Sequence, residues 1–314
     1  LGSYVAEALS EAGHQTRCLV RKTSDTSLLR KLARVELVSG SVEDAASVRA
    51  ATQGCEGVIH VAGVVKARDE AEFFEVNVRG TENVLAAAKA CGVKRLVHVS
   101  SLTVAGPSRD GRPVPKESRE PLTAYGRSKA AAEDRVLAAQ GELRSVIVRP
   151  PMIYGPRDRE SFAFFESVKN RLLPFIGDGT NTLSVIYGSD CASACVAALS
   201  ADVPSGSIYF VDDGEIYVWK DMLAEIERAM DKRALVRLSL PIPLVRAAAA
   251  VSELSGKVRG KAVMFNRDKL NELTAPHWVC DSSDTRAALG WEPKVKWAEG
   301  VRRAAEWYRR EGWL

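Results

Sequence analysis

Histidine and cysteine are thinly used in this sequence, and each shortage closes off a class of function. The 4 histidines, His14, His60, His98 and His277, are scattered. No Cys or His pairs stand at ligand spacing on two elements, so no metal centre is expected. The 6 cysteines, Cys18, Cys55, Cys91, Cys191, Cys195 and Cys280, are neither dense nor patterned. That excludes a disulfide scaffold and leads us to expect reduced thiols in a cytoplasmic protein. Charge of one sign is also lacking. Lys and Arg number 44 against 40 Asp and Glu, a formal +4, and no basic block adds to it. Nucleic acid is therefore not an expected partner. Long apolar runs are missing as well. Residues 183–201 carry Asp190 in their middle, and residues 234–251 are broken by Arg237, Pro241, Pro243 and Arg246. Neither run reaches the ~20 residues of a membrane span, and no membrane partner is expected.

What is present is enough to build a core. Of 314 residues, 46% are hydrophobic and 27% charged, a balance of folded rather than disordered chains. Strands are expected over 15–20, 36–39, 57–62, 95–100, 145–149 and 207–211. Helices are expected between them, over 3–12, 28–33, 45–52, 73–91, 125–140 and 190–201. Strands that are apolar throughout and alternate with amphipathic helices are what a parallel sheet covered on both faces requires. The expected fold class is thus α/β, a Rossmann-like doubly wound parallel sheet. After Pro150 the rhythm changes, and the remainder reads as a smaller, mainly helical C-terminal lobe. The expected division is 1–152 plus about 182–213 for the sheet domain, and 153–181 plus 214–314 for the lobe. The aromatics near the end, Trp291, Trp297, Trp307, Tyr308 and Trp313, are expected to anchor its helices. The sequence opens directly on a helix, whereas this fold needs a strand and glycine-rich turn ahead of it. The natural chain is therefore expected to begin roughly one strand and turn earlier.

The sharpest chemical signal is Tyr125-Gly126-Arg127-Ser128-Lys129. Tyr and Lys four apart on a helix share a face. An ammonium beside a phenol favours the phenolate, and is expected to lower a pKa that is ordinarily ~10 towards that of a working acid/base. Upstream, Val99-Ser100-Ser101-Leu102 ends a buried strand, and strand carboxyl ends are where this architecture binds ligands. A hydroxyl there can orient a substrate oxygen against Tyr125, or simply form a turn. Downstream, Arg149-Pro150-Pro151-Met152-Ile153-Tyr154-Gly155-Pro156 follows another strand end.

With these motifs the sequence resembles the extended short-chain dehydrogenases/reductases of the NAD-dependent epimerase/dehydratase family over essentially its whole length. Leu1-Gly2 resembles the end of that family's glycine-rich turn. His60-Val61-Ala62-Gly63 resembles its cofactor-flanking turn, and Asn77-Val78-Arg79-Gly80-Thr81 its helix with a structural Asn. The resemblance implies a catalytic triad of Ser101, Tyr125 and Lys129, with Tyr125 as acid/base, Lys129 on the nicotinamide ribose and Ser101 on the substrate oxygen. It also implies that Leu1, Gly2, Ala62, Gly63 and Pro150 line the cofactor, with Ser41 and Val42 near adenine. A basic residue at the end of the second strand accommodates a 2′-phosphate, where an acid would select NAD. Here Leu19-Val20-Arg21-Lys22 places Arg21 at that point, so NADP is expected in preference to NAD.

Branches of the family differ in ways that the sequence touches. Dehydratases carry Asp-Glu after the catalytic hydroxyl residue, and Leu102-Thr103 stands here, which argues against dehydration. Epimerases usually place an aromatic residue where Ala105 precedes Gly106. The stretches 104–107, 136–139 and 186–188 are similar to 3β-hydroxysteroid dehydrogenases, and a small Ala105 is expected to leave room beside the reacting carbon. The expected function is NAD(P)-dependent hydride transfer to or from a secondary alcohol or ketone of a mid-sized, steroid-like small molecule. A sugar-nucleotide epimerase with the same triad and a non-catalytic dinucleotide sensor are the alternatives. Members of the family are often dimers, so a homodimer is a further expectation.

Overall fold

The computed structural model describes residues 1–259 and 267–314. The first half follows the expected alternation: α1 (Gly2–Glu11), β1 (Thr16–Val20), β2 (Val35–Ser39), α2 (Ala45–Thr52) and β3 (Gly57–His60). Then come α3 (Glu70–Phe74), α4 (Gly80–Ala90), β4 (Arg95–Val99), α5 (Ala124–Ala138) and β5 (Ser145–Arg149). Asp44, Asp69 and Thr123 cap α2, α3 and α5 by accepting a backbone N–H in the first turn, which satisfies donors that a helix start otherwise leaves open. Two expected helices come out differently. The one over 28–33 is a single 3₁₀ turn, Leu29–Lys31, and the one over 73–91 is interrupted by a π-helical turn, Glu75–Arg79, between α3 and α4.

The second half contains β6 (Met152–Tyr154), α6 (Arg159–Lys169), β7 (Leu172–Ile176), β8 (Thr182–Leu183), β9 (Val185–Tyr187), α7 (Gly188–Ser200) and β10 (Ser207–Phe210). It continues through β11 (Tyr217–Val218), α8 (Trp219–Met230), β12 (Val236–Leu240), α9 (Ile242–Arg259) and α10 (Arg267–Thr274), and ends with β13 (His277–Trp278), α11 (Ser283–Leu289) and α12 (Trp297–Arg310). This half is less purely helical than the sequence suggests. β6 pairs with β9, β7 with β12, and β8 lies between β11 and β13. Most of these strands are two or three residues long, too short to show a period of two, and β7 contains Pro174, which masks a strand pattern.

A four-stranded parallel sheet, in the order β10–β5–β4–β3, is the centre of the molecule, and β1–β2 form a second parallel pair. Successive side chains of a strand point to opposite faces. Val97, Val99, Val146 and Val148 pack on one side with Val5 of α1 and Cys191 and Cys195 of α7. Leu96 and Ile147 pack on the other with Val84 and Leu85 of α4 and Val136 of α5. A third core joins Tyr154, Phe165, Met222, Trp297 and Tyr308 in the C-terminal part, with Trp307 and Trp313 packed against it, whereas Trp291, expected there too, packs in the sheet core and donates to Ser193 of α7. Arg302 and Arg303 of α12 face solvent in ion pairs with Glu299. Among the described residues no helix is long and apolar enough to cross a membrane, and no group of three or more His, Cys, Asp or Glu side chains is placed to hold a metal.

Candidate active site

Parallel strands put their carboxyl ends on one edge, and there the chain turns away after β3, β4 and β5. The β4 and β5 ends are stitched together: Ser100 N–H donates to the Val148 carbonyl at 2.7 Å and Leu102 N–H to the Pro150 carbonyl at 2.9 Å. Ser101 is extended (φ −159°) and opens the 3₁₀ turn Leu102–Val104. Its Oγ accepts from Thr103 N at 3.2 Å and from Thr103 Oγ1 at 2.9 Å. Against this turn lies the start of α5. Gly126 approaches so closely that a Cβ there would lie 2.9 Å from the Thr103 carbonyl oxygen. The glycine inside the Tyr-Gly-Arg-Ser-Lys run is thus what lets α5 come down on the turn, and the Tyr125 phenol meets the Ser101 hydroxyl.

Burial pushes the Tyr125 pKa up to about 12, and the hydrogen bond with Ser101 opposes this only in part. The expectation of a lowered phenol pKa is corrected here. Lys129 Nζ donates to the Val99 carbonyl at 2.7 Å, and desolvation of the phenol outweighs what favours its charged form. Burial also lowers Lys129, to about 8, while the Glu133 carboxylate acts the other way. Tyr125, Lys129 and Glu133 follow at four-residue steps down one face of α5. At the far end, Arg149 and Glu133, both with fully buried side chains, form a bidentate pair: Nε to Oε1 at 2.8 Å and NH2 to Oε2 at 2.6 Å. Arg149 NH1 also donates to the Lys116 carbonyl at 2.7 Å.

The turn after β3 is held by Asn77, from the π-helical turn. Its Oδ1 accepts from Val64 N at 2.8 Å. Its Nδ2 donates to the Val64 carbonyl at 3.1 Å and to Ser128 Oγ at 2.9 Å. Ser128 Oγ in turn donates to the Tyr125 carbonyl at 2.7 Å. One amide therefore fixes Gly63 relative to α5. A Cβ on Gly63 would lie 3.0 Å from Asn77 Oδ1 and 4.0 Å from Lys129 Nζ, so the bare backbone stands beside the ammonium. The nearby His60 and His98 rings, 5.3 Å apart, are kept neutral by burial and by the Lys129 charge. They are not acid/base groups at neutral pH.

The other residues singled out in the sequence follow strand ends or open α1. Ala62 and Gly63 are exposed, and Pro150 is buried behind the β4–β5 stitch. Arg21 follows β1 and is exposed. Ser41 and Val42 follow β2; Ser41 Oγ donates to Glu43 at 2.8 Å, and the Val42 carbonyl accepts from Asn83 Nδ2 at 2.8 Å. Leu1 and Gly2 open α1, where Leu1 packs on the core that holds Cys191. None of these outer residues hydrogen-bonds to Ser101 or Tyr125 among the described residues. Ala105 is a correction: its side chain is 1% exposed and packs with Leu102, Phe210 and Cys280. Its size answers to that packing and does not open space beside Tyr125.

Three contributors had no signal in the sequence. Asp268 of α10 accepts a 2.5 Å hydrogen bond from Ala124 N, the first amide of α5, where a carboxylate is favoured by the helix dipole. Glu272, one turn further, lies near enough for its charge to raise the Tyr125 pKa. Phe73 of α3 adds a ring 6.1 Å from that of Tyr125. The constellation fits the ribose and nicotinamide end of a dinucleotide. Lys129 has donors beyond the one used on Val99, Gly63 presents bare backbone next to it, and the buried Ser100 Oγ has no partner.

Residues 1–211 match the NAD dependent epimerase/dehydratase family. The chain belongs to this family. A relative from Methylococcus capsulatus, sterol demethylase protein B, is 38% identical over 334 residues, spanning 100% of this chain and 97% of that protein. The ceramide reductase of Caulobacter vibrioides is 32% identical over 319 residues, covering 100% of this chain and 93% of its own. Among solved structures, the UDP-glucose 4-epimerase of Thermus thermophilus in complex with NAD superposes with a TM-score of 0.78 at 24% identity, covering 98% of this chain and 95% of that one. As a member of the NAD-dependent epimerase/dehydratase family, with a parallel α/β sheet of the Rossmann type, the protein is an NAD-dependent enzyme of redox or epimerase chemistry.

Proposed function

We propose that the protein is a dehydrogenase/reductase that interconverts a secondary alcohol and a ketone on an apolar, lipid-like substrate. The observation that carries this reading is Tyr125 meeting Ser101 at the strand ends while Lys129 stands beside the bare Gly63 backbone. Bound nicotinamide would supply the site that accepts or donates hydride. Lys129, Gly63, Ala62 and Pro150 would hold that end of the cofactor, with Ser41 and Val42 towards the adenine and Leu1 and Gly2 towards the pyrophosphate. Ser101 orients the substrate oxygen. Tyr125, whose pKa lies at about 12, is a phenol at neutral pH and suits proton delivery to a carbonyl oxygen, the reductive direction. Lys129 places a positive charge beside the oxygen that becomes negative as that proton leaves. The names of the ceramide reductase and sterol demethylase relatives support an apolar substrate. Exposed Arg21 at the end of β1 supports NADP over NAD, as a partner for a 2′-phosphate.

Nicotinamide absorbance tests the reading on the natural full-length protein. Steroid ketones, ceramide-like ketones and sugar nucleotides are offered with each dinucleotide in turn. Net oxidation of the reduced cofactor with an apolar ketone is the expected result. Turnover of a sugar nucleotide at constant absorbance would instead establish an epimerase and overturn the proposal. Binding titrations settle the cofactor: NADP is expected to bind tighter, and tighter NAD reverses that part.

A further inference from the structure

Ser101 and Tyr125 meet, yet residues 105–123 between them form no helix or named strand. Such a connection holds its ends in place only through what it touches. Its start follows the turn that is stitched to β5. Along its course, Ser108 N–H donates to the His277 carbonyl at 2.9 Å and Val114 N–H to the Val279 carbonyl at 3.1 Å, on β13 and just after it. From the sheet side Arg149 holds the Lys116 carbonyl. At its far end Thr123 caps α5 locally, accepting from Gly126 N at 3.0 Å. Ala124 N, the amide next to Tyr125, donates instead to Asp268, 144 positions away.

The helix that carries Asp268 is anchored in the C-terminal part. Leu270, 2% exposed, packs with Val245 and Ala249 of α9. Trp278 Nε1 donates to the Glu272 carbonyl at 2.9 Å, and Asn181 Nδ2 to the Ala275 carbonyl at 3.1 Å. Asp268 and Glu272, four apart, lie on one side of α10. The Glu272 charge reaches Tyr125, so that side of α10 is turned to the phenol. Helix stability alone can be served by a neighbouring residue, as Thr123 does for Gly126. A carboxylate brought from so far along the chain also ties the C-terminal part to α5, one amide before Tyr125. We propose that Asp268 is a positioning residue of the reaction, holding Tyr125 within reach of Ser101. This rests on Tyr125 being the acid, as proposed above.

Steady-state kinetics on the natural full-length protein test it, with a steroid ketone and reduced dinucleotide and with Tyr125→Phe run alongside. Asp268→Ala should lower kcat about tenfold, since small misplacements of a reacting group are costly. Dinucleotide affinity should stay unchanged in a binding titration. Asp268→Asn keeps an oxygen that can accept from Ala124 and should restore most of kcat, although it lacks the charge. Assays run well below the melting temperature of each variant separate this loss from weakened folding. Hydrogen exchange at the Ala124 amide should quicken in the Ala variant, a readout that needs no substrate. The proposal falls if Asp268→Ala keeps kcat within about twofold, if the Asn variant is as slow as the Ala variant, or if exchange at Ala124 is unmoved. Should Tyr125→Phe turn over normally, the reading of the site fails and this proposal with it. An inactive Tyr125→Phe beside a fully active Asp268→Ala defeats this proposal alone.

Discussion

Along α5 and the end of β5, Lys129, Glu133 and Arg149 are buried, and each is held by a hydrogen-bonded partner. Just before β12 and on α9, Leu235, Leu244 and Val251 are apolar, and each faces water. The two regions invert the ordinary partition of side chains in opposite senses. An unpaired buried charge is so unfavourable that the inner set is kept only as a complete arrangement. The outer set costs little to leave exposed, because single apolar side chains on a surface are ordinary. The contrast separates what folding demands from what it merely tolerates.

The largest effect is expected where the inner arrangement meets substrate. Tyr125→Phe should lower kcat by about 10³-fold, as loss of an acid/base group does, with dinucleotide affinity preserved; steady-state rates and a binding titration check both halves. A drop smaller than tenfold would detach the network from catalysis. Next, Glu133→Gln leaves Arg149 buried without its counter-ion and should cost about 3–5 kcal/mol in urea unfolding. Arg149→Met combined with Glu133→Leu should recover most of that, because neither charge then remains. If the single change costs less than about 1 kcal/mol, the inner set is not the interlocked unit described.

Smaller effects sharpen the contrast. Burial lowers Lys129 from 10.5 to about 8, so between those pH values the unfolded chain binds more protons than the folded one. Its contribution to stability therefore rises with pH across that window and is least favourable below about pH 8. Unfolding curves of the protein and of Lys129→Met at several pH values should differ by this slope, and parallel curves would count against it. Asp268→Asn removes the carboxylate from the first amide of α5 and should cost about 1 kcal/mol, read as a lower melting temperature. Last, Leu244→Ser and Val251→Ser should change stability by no more than about 0.5 kcal/mol. A larger loss would mean that these side chains support the fold after all.

Much of the frame was legible because its signals are local. Five apolar-rich residues in β4 or β5, set between helices, can hardly be anything but buried parallel strands, and Tyr125 and Lys129 share a helix face by spacing alone. The family's Asn77 was legible through resemblance, and the structure shows its work in the bonds to Val64 and Ser128. What stayed hidden depends on contacts distant along the chain. Nothing near Asp268 announces that it meets Ala124, 144 positions away. The Tyr125 pKa was misjudged because helix spacing says nothing of desolvation, which is the largest influence on it. Ala105 was placed beside substrate because sequence order cannot say which way a side chain turns after a 3₁₀ turn. The short strands around β7 and β12 carry too few residues, and one proline too many, to be recognised.

The π-helical turn at Glu75–Arg79 gives this protein an unusual sensitivity to length. Such a turn holds one residue more than regular winding allows, and Asn77 reaches Val64 from within it. Deleting any single residue there would restore an ordinary helix and swing the downstream or upstream half by about 100° around the axis. The amide would then lose either the β3 turn or Ser128. Natural relatives that lengthen or shorten this helix by one position would have to build the link between the β3 turn and Tyr125 in another way, whereas exchanges of its outward side chains leave that link intact.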